Sequence, residues 1–433
     1  MPRRYFGTDG VRGVVGEDLT ADLVERIGRA ATLWSERSAT SEKGSDPCHV
    51  LIGRDTRGSG PELEAAIARG IVSVGGTAVL AGVLPTPAVA LLAQDLGVVI
   101  SASHNPPEYN GVKLFHGDGS KLTDEEEEVI EALLEEPVSA PTRGGSVEQL
   151  EGAGETYLRH VLEHFGQDLS GVRIAVDCAN GAFAGLAPKA FEQLGAEVHA
   201  IGVEPDGTNI NVGCGATDLA VLSHKVVEAH CDLGVAFDGD GDRMLAVDER
   251  GEPVDGDQIL AILALALGVD TVAVTVMTNL GFHRLMAEHG IRVVTTPVGD
   301  RYVLEALRAE SAVLGGEQSG HVIWLRDHVT GDGLAAALLL CGAIRERTLG
   351  EAASALVPYP QSQHNVHVAR RELPQRVFDE ADRLSAALGD KGRVLVRLSG
   401  TEPVVRVLAE AETQEEANRI SATIARLVDK ELG

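Results

Sequence analysis

The segment DGDGDR places Asp238, Asp240 and Asp242 at alternate positions with glycines between them. A tight turn on those glycines can aim three carboxylates at one point, which is the hard oxygen donor set that Mg2+ requires. A calcium EF-hand loop has similar spacing, but here the sixth position is Arg243 rather than Gly, and the flanks LGVAF and MLAVD read as strands. An acidic turn without a metal is the plainer alternative. Ser103 closes an apolar run and is followed by His104, Asn105 and Pro106, which makes it a candidate nucleophile. Neighbouring side chains of an extended chain point to opposite faces, so His104 is not expected to serve as its base and a hydrolase triad is not supported. Metal activation is the other route for a hydroxyl or a phosphoserine, and an ordinary Ser/Asn turn is the bland reading.

GEQSGH offers Glu317 and Ser319 as groups that read hydroxyls, and His321 as a proton carrier near neutral pH. Each alone is as well explained as a surface or capping residue. GTDGVRG holds Arg12, an anion contact or a simple turn. RLSGTEP, flanked by Arg397 and Arg406, joins hydroxyls, backbone N–H groups and guanidinium in a way that suits phosphate.

These strings need elements to hold them, and the chain supplies a repeated order. HVLIG from His49, a helical pattern through Leu63, Ala66 and Ile67, and the return TAVLAG lead to LGVVISASHNP. RIAVDCANG, a helix marked by Leu186, Ala190, Phe191 and Leu194, and AEVHAIG lead to LGVAFDGDGDR. TVAVTVMTN, a helix with Leu285 and Met286, and IRVVTTPVGDR lead to SAVLGGEQSGH. Strands alternating with amphipathic helices predict three similar α/β domains with mostly parallel sheets, whose ligands sit beyond the strand ends around a shared central cleft. After Pro358 and Pro360, the runs NVHVARREL, VLVRL and VVRVLAEAE, with helices expected at Pro374–Leu388 and Gln414–Leu432, predict a small antiparallel α+β domain. Thr413 with Glu416, and Thr123 with Glu126, read as capping boxes.

The 433 residues suggest several domains at ~150 residues each. Asp and Glu number 65 against 37 Lys and Arg, a formal charge of −28, which argues against nucleic acid and anionic membranes as partners. Any anionic ligand therefore needs a local cluster of basic residues. The five cysteines show no CxxC spacing and read as reduced thiols of a cytoplasmic protein, and MPRRYFGTDGVRG has no apolar stretch of the signal-peptide kind. The apolar runs Ile259 to Leu267 and Leu334 to Cys341 fall short of the ~20 residues that span a bilayer and read as buried helices.

Taken together, FGTDGVRG, SASHNPPEYNGVK, DGDGDR, GEQSGH and RLSGTEP resemble the α-D-phosphohexomutase superfamily, in the same order and along essentially the whole chain. PDGTNINVGCGATD from Pro205, VGDRYV from Val298 and Gln318 in the sugar loop are similar to the branch that acts on glucosamine phosphates. PPEYNG is closer to enzymes of mannose and glucose phosphates, which stand as the alternative. The resemblance implies a phosphoserine domain over 1–152, a metal domain over 153–252, a sugar domain over 253–358 and a phosphate-binding α+β domain over 359–433.

It further implies interconversion of glucosamine 6-phosphate and glucosamine 1-phosphate through phosphorylated Ser103 and a hexosamine 1,6-bisphosphate, in a monomer or homodimer that supplies cell-wall precursors. One Mg2+ would be held by Ser103, Asp238, Asp240 and Asp242. Arg12 and Lys113 would flank the phosphoserine, with Lys113 and His321 as proton carriers. Glu317 and Ser319 would read the sugar hydroxyls. Arg243, Arg301, Arg397, Ser399, Gly400, Thr401 and Arg406 would hold phosphate, and the small domain would close on the substrate. A metal-dependent phosphatase or a silent sugar-phosphate sensor are the rivals from other classes.

Overall fold

The β-branched runs that end in polar strings become the inner strands of three mixed sheets. The computed structural model describes residues 4–7, 9–38, 47–137, 144–370, 372–398 and 404–433. Among them, the first sheet runs in the order Val11–Val14, Tyr109–His116, Leu96–Ile100, His49–Arg54, Thr77–Val83, Ser146–Gln149. The strands from Leu96–Ile100 onward in that order are parallel, whereas Tyr109–His116 is antiparallel to both of its neighbours.

The second sheet repeats this plan. Its parallel strands Leu233–Phe237, Arg173–Asp177 and Glu197–Ile201 are extended by antiparallel Met244–Val247 and Pro253–Val254. The third has Arg292–Thr296, Thr271–Thr275 and Leu314–Gly316 in parallel and Val322–Trp324 antiparallel. Parallel pairing thus runs from the strand before each polar string to one edge of its sheet, and an antiparallel strand follows each polar string. The two long apolar runs form helices Gly256–Leu267 and Gly333–Ala343, both buried. No helix among the described residues is long and apolar enough to cross a membrane. The five cysteines are buried thiols, and burial pushes Cys214 up to about 11 and Cys341 up to about 12.

The chain divides into two compact units, Met1–Val276 with Arg292–Ser354, and Met277–Ile291 with Ala355–Gly433. The second unit has the antiparallel order Gln361–His367, Val404–Glu410, Arg393–Leu398. Helices Gln375–Leu388 and Gln414–Leu432 cover it, burying Val377, Ala381 and Leu384 from one and Ile420, Ile424 and Val428 from the other against Val405, Val407 and Ala409. That i, i+4 spacing is the apolar stripe read from the sequence. Helix Leu280–Glu288 groups with this unit rather than with the third sheet, because Asn279 exchanges hydrogen bonds with the Tyr359 backbone, at 3.0 and 2.8 Å.

The capping box of Thr123 and Glu126 is complete. At Thr413 only one half forms: its hydroxyl accepts from Glu416 N at 3.2 Å, and this bond alone caps the last helix.

Candidate functional site

Each of the three polar strings is a corner joining the last parallel strand of its sheet to the antiparallel one. SASHNPPE leaves Leu96–Ile100, DGDGDR leaves Leu233–Phe237 and EQSGH leaves Leu314–Gly316. Backbone bonds tie the aspartate corner to the EQSGH corner and to the starts of helices Thr86–Leu92 and Gly333–Ala343. Met244 N donates to Gly320 O at 2.9 Å, Gly333 N to Gly241 O at 3.0 Å and Thr86 N to Asp240 O at 2.9 Å. Gly241 is needed for its φ of +76° in the aspartate turn. Gly239 is needed for closeness, since a Cβ there would stand 2.7 Å from the Ser103 carbonyl oxygen.

Ser103 is not extended. Its φ is +53°, a left-handed conformation that costs a non-glycine residue ~1–2 kcal/mol. The surroundings impose it. Ser103 N donates to Ser101 Oγ at 2.8 Å, and that hydroxyl donates to Asp55 at 2.6 Å. Arg57, whose side chain is wholly buried, pairs with Asp55 at 2.9 Å. Its Nη2 donates to Ser103 O and Asn105 O at 3.0 and 2.7 Å, and its Nη1 to Tyr109 O at 3.0 Å and to Pro106 O. Asn211 adds bonds to the same Ser103 and Asn105 carbonyls at 2.9 and 3.2 Å.

The turn corrects the expectation for His104. With a positive φ the neighbouring side chains are not opposed, and His104 Nδ1 lies 3.2 Å from Ser103 Oγ. Burial, then Arg243 and Arg12, push this imidazole down to about 4, so it is neutral near pH 7 and a weak base.

Ser103 Oγ donates to Asp238 at 2.5 Å, which brings the nucleophile to the aspartates. Asp238, Asp240 and Asp242 are all buried, with a carboxylate oxygen of each within 4.8 Å of the others. Lys113 Nζ stands 2.8 Å from Asp240, 2.9 Å from Asp242 and 3.1 Å from Asp9. Burial works against its charge, yet these carboxylates hold the ammonium well above the usual lysine range. Burial opposes charge on Asp242 also, and Lys113, His321 and Arg243 hold it well below the carboxylate range. Asp238 goes the other way: burial, then Asp242 and Asp240, push it well above.

The three carboxylates fit a divalent cation on the structure's own terms. Among the described residues Asp240 Oδ1 and Asp242 Oδ1 are buried with no hydrogen-bond partner, and the crowding of Asp238 by Asp242 and Asp240 that pushes its carboxyl up is what a divalent cation would relieve.

His321, 3% exposed, lies between Asp300 (3.3 Å from Nε2) and Asp242 (3.8 Å from Nδ1). Burial disfavours its charge, but these carboxylates hold the imidazolium above the ordinary histidine value. Arg12 pairs with Asp9 and donates to Ala102 O at 3.1 Å, beside the serine loop. The Arg243 backbone N–H bonds Asp238 at 3.2 Å, and its guanidinium Nε, 3.9 Å from Asp242, has no hydrogen-bond partner among the described residues. Glu317 is buried and accepts from Gly299 N at 3.2 Å, whereas Ser319 is exposed.

Arg301 departs from expectation. Its side chain is 6% exposed, and its donors are held by Leu122 O at 2.9 Å, by Asp124 and, at 3.6 Å, by Glu127, so it braces the helix that starts at Asp124 instead of standing ready for phosphate. In the second unit, Arg397 and Arg406 are direct cross-strand partners. Ser399, Gly400 and Thr401 lie outside the described residues.

Several residues at the site were not singled out from the sequence. Arg57 and Asp55 sit in RDTRGSG, which reads only as a polar break after a strand. Thr86 donates to Asp240 at 2.6 Å and carries no motif at all. Lys121 bridges Asp9 and Asp300 at 2.6 and 2.5 Å, linking the N-terminal turn to the VGDRYV turn. Asp9 and Asp300 lie inside quoted strings, and an acid count within them is the signal that was there to use.

Comparison with known proteins agrees with this architecture. The sequence matches the phosphoglucomutase/phosphomannomutase alpha/beta/alpha domain I over residues 3–140, domain II over 155–251, domain III over 255–359 and the C-terminal domain over 364–427. A phosphoglucosamine mutase of Clostridium acetobutylicum is 46% identical over 450 residues, covering 99% of each chain. One from Saccharopolyspora erythraea is 48% identical over 444 residues, covering 98% of this chain and 99% of the relative. Among solved structures, a phosphoglucomutase/phosphomannomutase family protein of Burkholderia thailandensis superposes with a TM-score of 0.83 at 26% identity, covering 98% of this chain and 97% of that one. The fold is shared with Aspergillus fumigatus N-acetylphosphoglucosamine mutase, solved in complex with GlcNAc-6P and magnesium, at a TM-score of 0.68 and 19% identity over 99% of this chain and 96% of that one.

Proposed function

Because the chain belongs to the phosphoglucosamine mutase family of the phosphoglucomutase/phosphomannomutase proteins, we propose that it interconverts glucosamine 6-phosphate and glucosamine 1-phosphate by way of a phosphorylated Ser103. The observation that carries the chemistry is the 2.5 Å contact of Ser103 Oγ with Asp238, beside two further buried carboxylates and a lysine. The full-length likeness to phosphoglucosamine mutases supports the amino sugar over mannose or glucose phosphate.

In this reading the phosphate on Ser103 passes to the free hydroxyl of the sugar phosphate. The Oγ–P bond breaks, a bond from phosphorus to the sugar oxygen forms, and the hydroxyl proton leaves to a side chain. The resulting 1,6-bisphosphate turns in the site, and its other phosphoryl group returns to Ser103. Phosphoryl transfer is mainly positioning and neutralisation of charge. Lys113 and His321, both against Asp242, would be the proton carriers. Arg12, beside the serine loop, and Arg243, in the aspartate turn, would hold the reacting phosphate. Glu317 and Ser319 would read the ring hydroxyls. Arg397 and Arg406, with Ser399, Gly400 and Thr401, would hold the phosphate that is not reacting, which a bisphosphate intermediate needs and a simple phosphatase does not. Mg2+, held by Asp238, Asp240, Asp242 and phosphorylated Ser103, would supply charge neutralisation at the transferred group.

The test is ³¹P NMR of the purified protein with Mg2+ and a trace of hexose 1,6-bisphosphate, comparing glucosamine, glucose and mannose 1-phosphates, with Ser103→Ala alongside. Conversion of the glucosamine ester to its 6-phosphate, fastest of the three and lost in Ser103→Ala, is the expected result. Faster turnover of glucose or mannose phosphate would overturn the sugar assignment. Release of inorganic phosphate alone would mean a phosphatase, and no reaction at all a sensor.

A further inference from the structure

The aspartates of the turn are not all aimed in the same way. Asp238 is held within the turn itself, where its Oδ1 accepts from Gly241 N and Arg243 N at 3.1 and 3.2 Å. Asp240 is held from outside it. Its Oδ2 accepts at 2.8 Å from Lys113 Nζ, on strand Tyr109–His116, and at 2.6 Å from Thr86 Oγ1, at the head of helix Thr86–Leu92. Both donors come from the part of the chain that builds the first sheet, whereas the turn belongs to the second. Oδ1 of Asp240 has no hydrogen-bond partner among the described residues. A carboxylate with one oxygen taken by its surroundings and the other left bare is oriented for an ion before the ion arrives.

Thr86 grips Asp240 twice. Its backbone N–H donates to Asp240 O at 2.9 Å and its hydroxyl to the carboxylate, so one residue fixes both the main chain and the side chain of the aspartate. Thr86 has little freedom of its own. It is buried, and Pro85 and Pro87 on either side lock the chain at both neighbours. Pro87, Ala88, Val89 and Ala90 are buried too, which seats the helix. A β-branched side chain is stiff about its first bond, so the hydroxyl keeps its direction. Lys113 cannot supply that direction alone. Its ammonium is a point charge on a flexible stem, shared among Asp240, Asp242 and Asp9 at 2.8, 2.9 and 3.1 Å, and it attracts either oxygen of Asp240 alike.

We propose, on the reading of the three aspartates as a Mg2+ site, that Thr86 is a positioning residue of that site: it holds Oδ2 of Asp240 so that Oδ1 faces the ion. Mg2+ demands near-ideal octahedral geometry, so a ligand free to turn weakens its binding. Without the hydroxyl, Oδ2 is left to Lys113 alone, and the carboxylate can rotate about its last bond toward that ammonium. Cation affinity then depends on a neutral hydroxyl that carries no charge to the site and touches no substrate. It also depends on how the first sheet's helix is seated against the second sheet's turn, because the Thr86 backbone bond and the hydroxyl bond span that boundary together.

The experiment titrates Mn2+, a hard divalent stand-in for Mg2+, into the full-length protein, follows the free ion by electron paramagnetic resonance and then displaces it with Mg2+. The parent, Thr86→Val, Thr86→Ala and Thr86→Ser are treated alike with hexose 1,6-bisphosphate, freed of it by gel filtration and verified by intact mass to be equally phosphorylated. Expected is binding in the parent, an affinity about tenfold or more weaker in Thr86→Val and Thr86→Ala, and recovery to within about threefold in Thr86→Ser, which keeps the hydroxyl on a freer side chain. The Mg2+ concentration that gives half activity should rise in parallel, with a smaller change in kcat at saturating Mg2+. If Thr86→Val does not fold, the alanine and serine variants decide. Hydroxyl-free variants that melt lower but bind Mn2+ as the parent does would make Thr86 a merely structural contact and overturn the proposal. So would a serine variant as weak as alanine. A parent that binds no Mn2+ would instead overturn the metal reading of the aspartates, and the role of Thr86 with it.

Discussion

The carbonyl oxygen of Ser103 lies 3.0 Å from Nη2 of Arg57, a guanidinium entirely out of water. Arg57 thereby acts on the nucleophile without touching it: its donors fix the carbonyls around the corner and leave Oγ aimed at Asp238. Arg57→Ala strips that frame and leaves Asp55 buried without its cation, a loss of ~3–5 kcal/mol that urea denaturation measures. Arg57→Lys keeps charge but not the planar fork, so it should recover part of the stability while kcat falls more than KM. A lysine variant with the parent's kcat would show that the corner holds itself.

Asp240 shares Oδ2 between Lys113 and Thr86 and has Oδ1 unpartnered. Asp240→Asn is therefore expected to leave the far-ultraviolet dichroism unchanged, to lower turnover about 100-fold or more, and to shrink the rise in melting temperature that Mg2+ produces. Full activity in this variant would remove the aspartates from the metal assignment.

His283 gives the second unit a pH dependence. Burial, then Arg393, push it down to about 4 from the ordinary 6.5. Between those values the unfolded chain binds the proton and the folded one does not, so stability rises with pH across that window and levels off above it. His283→Gln should flatten the profile. Hydrogen exchange of peptides covering 280–288, at pH 4.5 and 7.5, is the measurement; the same pH difference in both proteins would contradict it.

Arg397 and Arg406 stand opposite each other on adjacent strands, and in the proposed reading both grip the phosphate that is not reacting. Arg397→Ala should then raise KM for the sugar phosphate about tenfold, with a smaller change in kcat. Unchanged KM in steady-state assays would dismiss the phosphate grip.

The corners were legible because each is a short polar string directly after an apolar strand, and the order of elements was enough to place them on three similar sheets. What holds them was not. Arg57 acts on backbone carbonyls, which every residue has, and Thr86 meets Asp240 only through the fold. A positive φ at a serine leaves no trace in residue type, so the rule that adjacent side chains oppose each other misjudged His104. Arg301 shows a different limit: its charge says that it seeks an anion, but not that Asp124 and Glu127 reach it first.

The repeated corner also bears on how substrate preference can change. Because each loop leaves its own sheet between a parallel and an antiparallel strand, the three are attached by separate hinges of backbone. One corner can be recut, in length or in chemistry, while the other two keep their places. In the proposed reading, a new ring substituent would then be accommodated at Glu317 and Ser319, with His321 and the other two corners kept.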